Sequence, residues 1–228
     1  MKKMLVALAI MMSPLQKAEA PKLGSDADPI RQGLFACQTM PEQLQRVKLD
    51  GSPSPFQTIA DAAKLARDGR KEDAKSRLHS ILSLPNLETR TQLWVWSALR
   101  ELGEQPEAKS GGDILGVVIE VPMKGAYDTL AAYQDGSARY LNFSGKAIFW
   151  DKPDATVLSL CRVLIESTAP IRSRATPRTN ALLPTSGTQI TLLTRSGMYV
   201  IPAPTEPVTR AALGLMTELI RQATEKQG

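Results

Sequence analysis

Histidine is almost missing from this sequence: His79 stands alone among 228 residues. One imidazole excludes a zinc site built on a histidine pair, and any triad with a histidine base would have to use it. His79 sits beside Leu78 in a helical run with no nucleophile placed for that task. Cysteine is scarce too, and Cys37 and Cys161 are too far apart to supply metal-ligand spacing. They could pair in an oxidising compartment. However, Cys161 lies in "ATVLSLCRVLIESTA", where Val157, Leu160, Leu164 and Thr168 share its helical face, so a free buried thiol acting as a small hydrophobe is expected. No phosphate loop is present: "GEQPEAKSGGD" has glycines and a lysine but not the ordered spacing, and it follows no strand. These gaps predict no catalytic histidine, no metal and no cofactor.

Long apolar runs are also lacking. The longest opening stretch, Met4 to Met12, has nine residues, far fewer than a spanning helix needs, so no transmembrane span is expected. Basic residues number 28 against 23 acidic, for a net charge of +5 and a pI near 9.3. They are spread along the chain rather than gathered in a stripe, which argues against a specific nucleic-acid partner.

What is present is ordinary globular material: 43% hydrophobic and 22% charged residues, enough for one large domain or two small ones. Residues 1–20 combine a basic start (Lys2, Lys3), the apolar run, a breaker at Pro14 and Ala18-Glu19-Ala20, the order of an export signal. Pro21 would fit poorly as the first mature residue, so a start at Met12 or a short buried helix stays open. The expected location is periplasmic or secreted, with the cytoplasm as the alternative.

Residues 21–55 form a lead-in with one short helix near Pro29 to Gln38 and a linker at "GSPSP". From 56 to 108 the period is helical. Ile59, Ala60, Ala63 and Ala66 make one stripe, Ala74, Leu78, Ile81 and Leu82 a second, and Leu93, Trp96, Ala98, Leu99 and Leu102 a third. The run "AAKLARDGRKEDAKSRLHSILSLP", with "LWVWSALRELGEQPEA" after it, resembles a tetratricopeptide repeat over about one and a half units. That resemblance implies helix-hairpin geometry and, at a distance, peptide binding.

After Lys109 to Asp113 the period drops to two, and residues 113–228 read as ββββ-α-ββ-α. Leu115, Val117, Ile119 and Val121 alternate in the first strand. Asp135-Gly136 predicts a two-residue hairpin turn, Ser144-Gly145 another, and Asp154 an N-cap. Residues 170–188 read as a Pro, Thr and Arg-rich loop. A hairpin around Ser196-Gly197 and an amphipathic helix opened by Pro207 close the chain. The expected fold class is α+β: an N-terminal helical hairpin region, then a two-layer antiparallel sheet with helices on one face. The element order is similar to secretion-chaperone-like and roadblock-like domains. Over residues 113–225, "DTLAAY-x-DG-x-ARY-x-N-aromatic-SG" and a late "LLT-x-SG" resemble bacterial proteins of no assigned function, which implies a shared domain rather than an activity.

Six of the eleven aromatic residues fall between Tyr127 and Trp150. With a two-residue turn, Leu130 opposes Leu141, Leu141 opposes Ile148, and that face seats the helices. The other face then carries Tyr127, Thr129, Tyr133, Tyr140, Asn142 and Phe149, the candidate binding surface, unless the preceding helices cover it. Arg172, Arg174 and Arg178 lie in a stretch without acidic residues and are candidates for contact with an acidic partner. The expected function is a non-enzymatic protein–protein interaction or assembly protein of bacterial type. The alternative is an enzyme or small-ligand binder with a pocket between helices and sheet, using Glu120, Asp128 and nearby tyrosines.

Overall fold

The computed structural model describes residues 27–42, 55–123, 126–151, 154–184, 187–201 and 205–225. The export-signal expectation on residues 1–20, and nearly all of the "GSPSP" linker, lie outside those residues. The described chain is α+β. Helices α1 (Ala27–Gly33), α2 (Phe56–Arg67), α3 (Lys71–Leu82), α4 (Thr89–Glu101) and the single turn α5 (Ala108–Gly111) precede the sheet. Strands β1 (Ile114–Met123), β2 (Ala126–Tyr133), β3 (Ala138–Leu141) and β4 (Ala147–Trp150) lead into α6 (Ala155–Thr168). A 3-10 turn (Ala169–Arg174), β5 (Thr176–Arg178), β6 (Gln189–Thr194), β7 (Gly197–Ile201) and α7 (Glu206–Glu225) complete it.

The seven strands form one antiparallel sheet in the order β4-β3-β2-β1-β6-β7-β5. The stretch 170–188, expected to be all loop, contributes the edge strand β5, which pairs with β7. Three residues with a proline at their centre leave almost no strand signal in the sequence.

β1 and β2 lie centrally, and all eight positions of β2 are buried. One face of the sheet presents Val117, Ile119, Leu130, Ala132, Ala138 and Trp150 to α6 and α7. Val157, Cys161 and Leu164 recur along α6 at helical spacing, and Asp154 caps it by accepting a hydrogen bond from Val157 N at 2.9 Å. Each buried Val, Leu or Ile of this layer stabilises the fold by about 1.5–3 kcal/mol relative to exposure. The opposite face presents Val118, Ala131, Tyr133, Leu193 and Met198, and it is covered too. Leu34, Phe35 and Ala36, just after α1, pack there beside Leu93 and Trp94 of α4. Gly116 in β1 makes room for this layer: a Cβ there would stand 2.9 Å from the Tyr133 ring. A third cluster, with Ile59, Ala62, Ala74, Leu78, Val95 and Leu99, holds α2, α3 and α4 together.

The β2–β3 register differs from the expectation by one residue. Gly136 N bonds to Tyr133 O at 2.9 Å, and Tyr133 N bonds to Ser137 O at 3.0 Å, so the loop is Gln134-Asp135-Gly136, with Gly136 at φ 85°. This is a three-residue loop with glycine in the left-handed position rather than a two-residue turn. Thr129 therefore opposes Leu141, and Leu130 opposes Tyr140. The next hairpin repeats the device with Phe143-Ser144-Gly145, so Tyr140 opposes Ile148. A one-residue slip turns a strand over. Two slips in succession turn over β3 alone and return β4 to the expected face. Leu141 accordingly leaves the α6–α7 side, and Tyr140 joins it.

Candidate functional site

The six residues expected to form one aromatic surface are not brought together. Tyr133 is fully buried beneath Leu34, and its hydroxyl donates to Leu34 O at 2.6 Å. Burial pushes its pKa well above the ordinary tyrosine value. Tyr127 is buried on the same face and donates to Pro184 O at 2.8 Å. Thr129 is buried beside them, with a hydroxyl that has no hydrogen-bond partner among the described residues. Tyr140 lies on the opposite face, because β3 is turned over, and donates to Asp128 Oδ2 at 2.9 Å. Burial, and then the Asp128 carboxylate, raise its pKa. Asn142 serves its own loop: its Oδ1 accepts from Ser144 N, Ser144 Oγ and Lys146 N. Of the six, Phe149 is the exposed one, at 50%, while Tyr140 and Asn142 are half-buried.

The arginine candidates divide. Arg172 and Arg174 are exposed. Arg178 is drawn inside as part of a buried triad that the sequence did not announce. Glu120, with no exposed surface, accepts at Oε1 from Arg31 Nε (2.9 Å) and Nη2 (2.5 Å). Its Oε2 accepts from Arg178 Nη1 at 3.0 Å. Both guanidiniums flank the Phe35 ring, Arg31 at 5.3 Å and Arg178 at 4.7 Å from its centroid. Arg178 also donates to Thr191 Oγ1, Asn180 O and Leu182 O, and Arg31 to Ala181 O. Three distant pieces of chain, α1, β1 and β5 with the residues just after it, are thus tied by charged hydrogen bonds, the stronger kind.

This triad is built to hold, not to react. Glu120 is fully buried, and both of its carboxylate oxygens are taken by guanidiniums. Glu120 opposes Thr129 whereas Asp128 opposes Val121, so the two carboxylates considered for catalysis project from opposite faces of the sheet. Asp128 is occupied by Tyr140 and by Phe143 N at 2.8 Å. They cannot share a substrate. Among the described residues no group of His, Cys, Asp and Glu side chains is arranged to hold a metal ion. The cysteines are both free, on opposite faces of the sheet, and Cys161 donates a weak bond to Gly136 O at 3.4 Å. His79 pairs with Glu104 at 2.7 Å on the surface of the helical region.

The remaining candidate surface is the outer end of the sheet at β3 and β4. Phe149 is half exposed on the edge strand, and Phe143, at 48% exposure, stands in the adjoining loop. Arg139 lies beneath, 5.6 Å from the Phe149 centroid, and is itself buried between Trp150 O and the carboxylates of Asp151 and Glu88. Sequence reasoning missed Arg139 and Phe143 as members of this surface. The alternation around them was legible, but their faces depended on the loop length.

The fold and this surface define an α+β protein whose sheet is covered centrally on both faces and whose edge strand β4 has one strand neighbour, β3, among the described residues. Comparison of the chain with protein-family models, with curated proteins and with solved structures gives no match. No helix among the described residues is long and apolar enough to cross a membrane.

Proposed function

We propose that this is a non-enzymatic protein-interaction or assembly protein, with the β3–β4 end of the sheet as its contact surface. The observation that carries the reading is the pairing of two large exposed aromatic side chains, Phe143 and Phe149, with an edge strand that has no partner among the described residues. Aromatic side chains bring much apolar area at low entropic cost, and they recur as anchors of protein interfaces. The helix-hairpin pattern of residues 56–107, which resembles a tetratricopeptide repeat, is in keeping with such a role. The exposed Arg172 and Arg174 offer a separate contact for acidic groups on a partner. The order of residues 1–20 favours a periplasmic or secreted setting, which the intact mass of the protein from its native host tests.

The site is tested by capture from native-host lysate with the wild-type chain and with Phe149→Asp, each first shown to melt at the same temperature. One macromolecular partner held by the wild type and released by the variant supports the reading. Equal capture by both proteins removes this surface from consideration.

A further inference from the structure

The two edges of the sheet are unlike. β5 is three residues long with Pro177 at its centre. A proline without an N–H and a short edge strand are both devices that discourage pairing with another chain. β4, "AIFW", carries neither a proline nor a charge. Its orientation is set by the loop before it. Asn142 N donates to Lys146 O at 2.9 Å, so those two residues form a hydrogen-bonded pair. Pairs alternate along an antiparallel ladder, which makes Tyr140–Ile148 and Ala138–Trp150 hydrogen-bonded and Leu141–Ala147 and Arg139–Phe149 not. The N–H and C=O groups of Ala147 and Phe149 therefore point away from β3, toward the side that has no strand among the described residues. The side chains of the same two residues are the exposed ones of the strand.

We propose, resting on the interaction reading above, that the partner of this edge is a second copy of the same chain, joined antiparallel β4 to β4 about a two-fold axis perpendicular to the sheet. Facing residues across such an axis lie on the same face of the sheet, so the register must centre on a residue rather than between two. Centred on Ile148, it sets Ala147 against Phe149 of the other copy, twice over. The outward backbone groups of each then meet their complements. The half-exposed Phe149 ring lies across a methyl group, large on small, and Lys146 lies opposite Trp150, so no like charges face each other. A strand that complements itself in hydrogen bonds, size and charge needs no other occupant, and pairing brings the two exposed side chains of each copy into cross-strand contact.

Sedimentation velocity on the full chain tests this. Wild type at about 100 μM should run as a dimer of the 24.8 kDa chain. Ala147→Pro removes an N–H that bonds to nothing in the monomer ladder. It should raise the dimer Kd by ~10-fold or more while the fold is kept, read as an unchanged circular dichroism spectrum. Should that variant fail to fold, Phe149→Lys decides: loss of the dimer supports the proposal and retention overturns it. A monomeric wild type at that concentration, or a dimer that survives Ala147→Pro in a folded protein, overturns it as well. If the wild type is monomeric yet captures another protein in a Phe149-dependent way, self-pairing falls and the interaction reading stands. If neither occurs, both fall.

Discussion

Glu120 shows how a single side chain can decide the outcome at the residue scale. Its carboxylate is surrounded by two guanidiniums in the covered face of the sheet. A buried pair contributes little net stability, but removing one partner leaves an uncompensated charge behind. Glu120→Ala is expected to destabilise the protein by ~3–5 kcal/mol in urea unfolding. A variant that unfolds with the wild type would mean that Arg31 and Arg178 do not converge there. Cys161 makes a second case. Burial pushes its thiol pKa from 9.0 up to about 12. A folded-state pKa raised above the unfolded value means that stability is full below pH 9 and is lost as pH rises toward 12. Cys161→Ala should flatten that alkaline decline, measured by thermal melting from pH 8 to 11. In native wild type, a thiol reagent near neutral pH should leave Cys161 unmodified until the protein unfolds.

The hairpin loops govern the behaviour of whole elements. Gly136 at φ 85° closes the β2–β3 loop, and Asp135 in the same loop accepts from Thr89 N at 2.7 Å, which satisfies the start of α4. Gly136→Val forces a β-branched residue into the left-handed region and should cost about 1–3 kcal/mol, read from denaturant unfolding. The loss should be accompanied by weaker hydrogen-exchange protection at the first turn of α4, because one loop holds both elements. The sequence marked the loop and its glycine plainly. It did not distinguish two loop residues from three, since Asp-Gly serves both, and that one residue decides which face Tyr140 and Arg139 occupy. Helix α6 was fully legible by contrast: its stripe and its Asp154 cap are local, and no partner can change them.

For the molecule as a whole, the segment after α1 joins the helical region to the sheet. Phe35 lies under both arginines of the triad, Leu34 O accepts from Tyr133, and Met40 N donates to the Glu101 carboxylate at 3.2 Å. Phe35→Ala should therefore cost about 3–5 kcal/mol, more than truncation of an edge-strand ring such as Phe149, when both are measured in one denaturant series. Because the segment seals both the helical cluster and the sheet face, the variant should melt in a single transition at lower temperature. Two separated transitions would show instead that the helices and the sheet unfold independently.

The sequence by itself determined the main helices, every strand but β5, the α+β class, the Asp154 cap and the faces that β1, β2 and β4 turn toward α6 and α7. All of these rest on periodicity and on bonds between residues close along the chain. Tertiary structure alone decided what covers the second face, where Arg178 goes, and which aromatic side chains remain in solvent. Arg31, Glu120 and Arg178 are 89 and 58 residues apart along the chain. A charge destined for the interior reads in sequence like one destined for water. Only the folded chain, by placing a carboxylate between two guanidiniums, tells them apart.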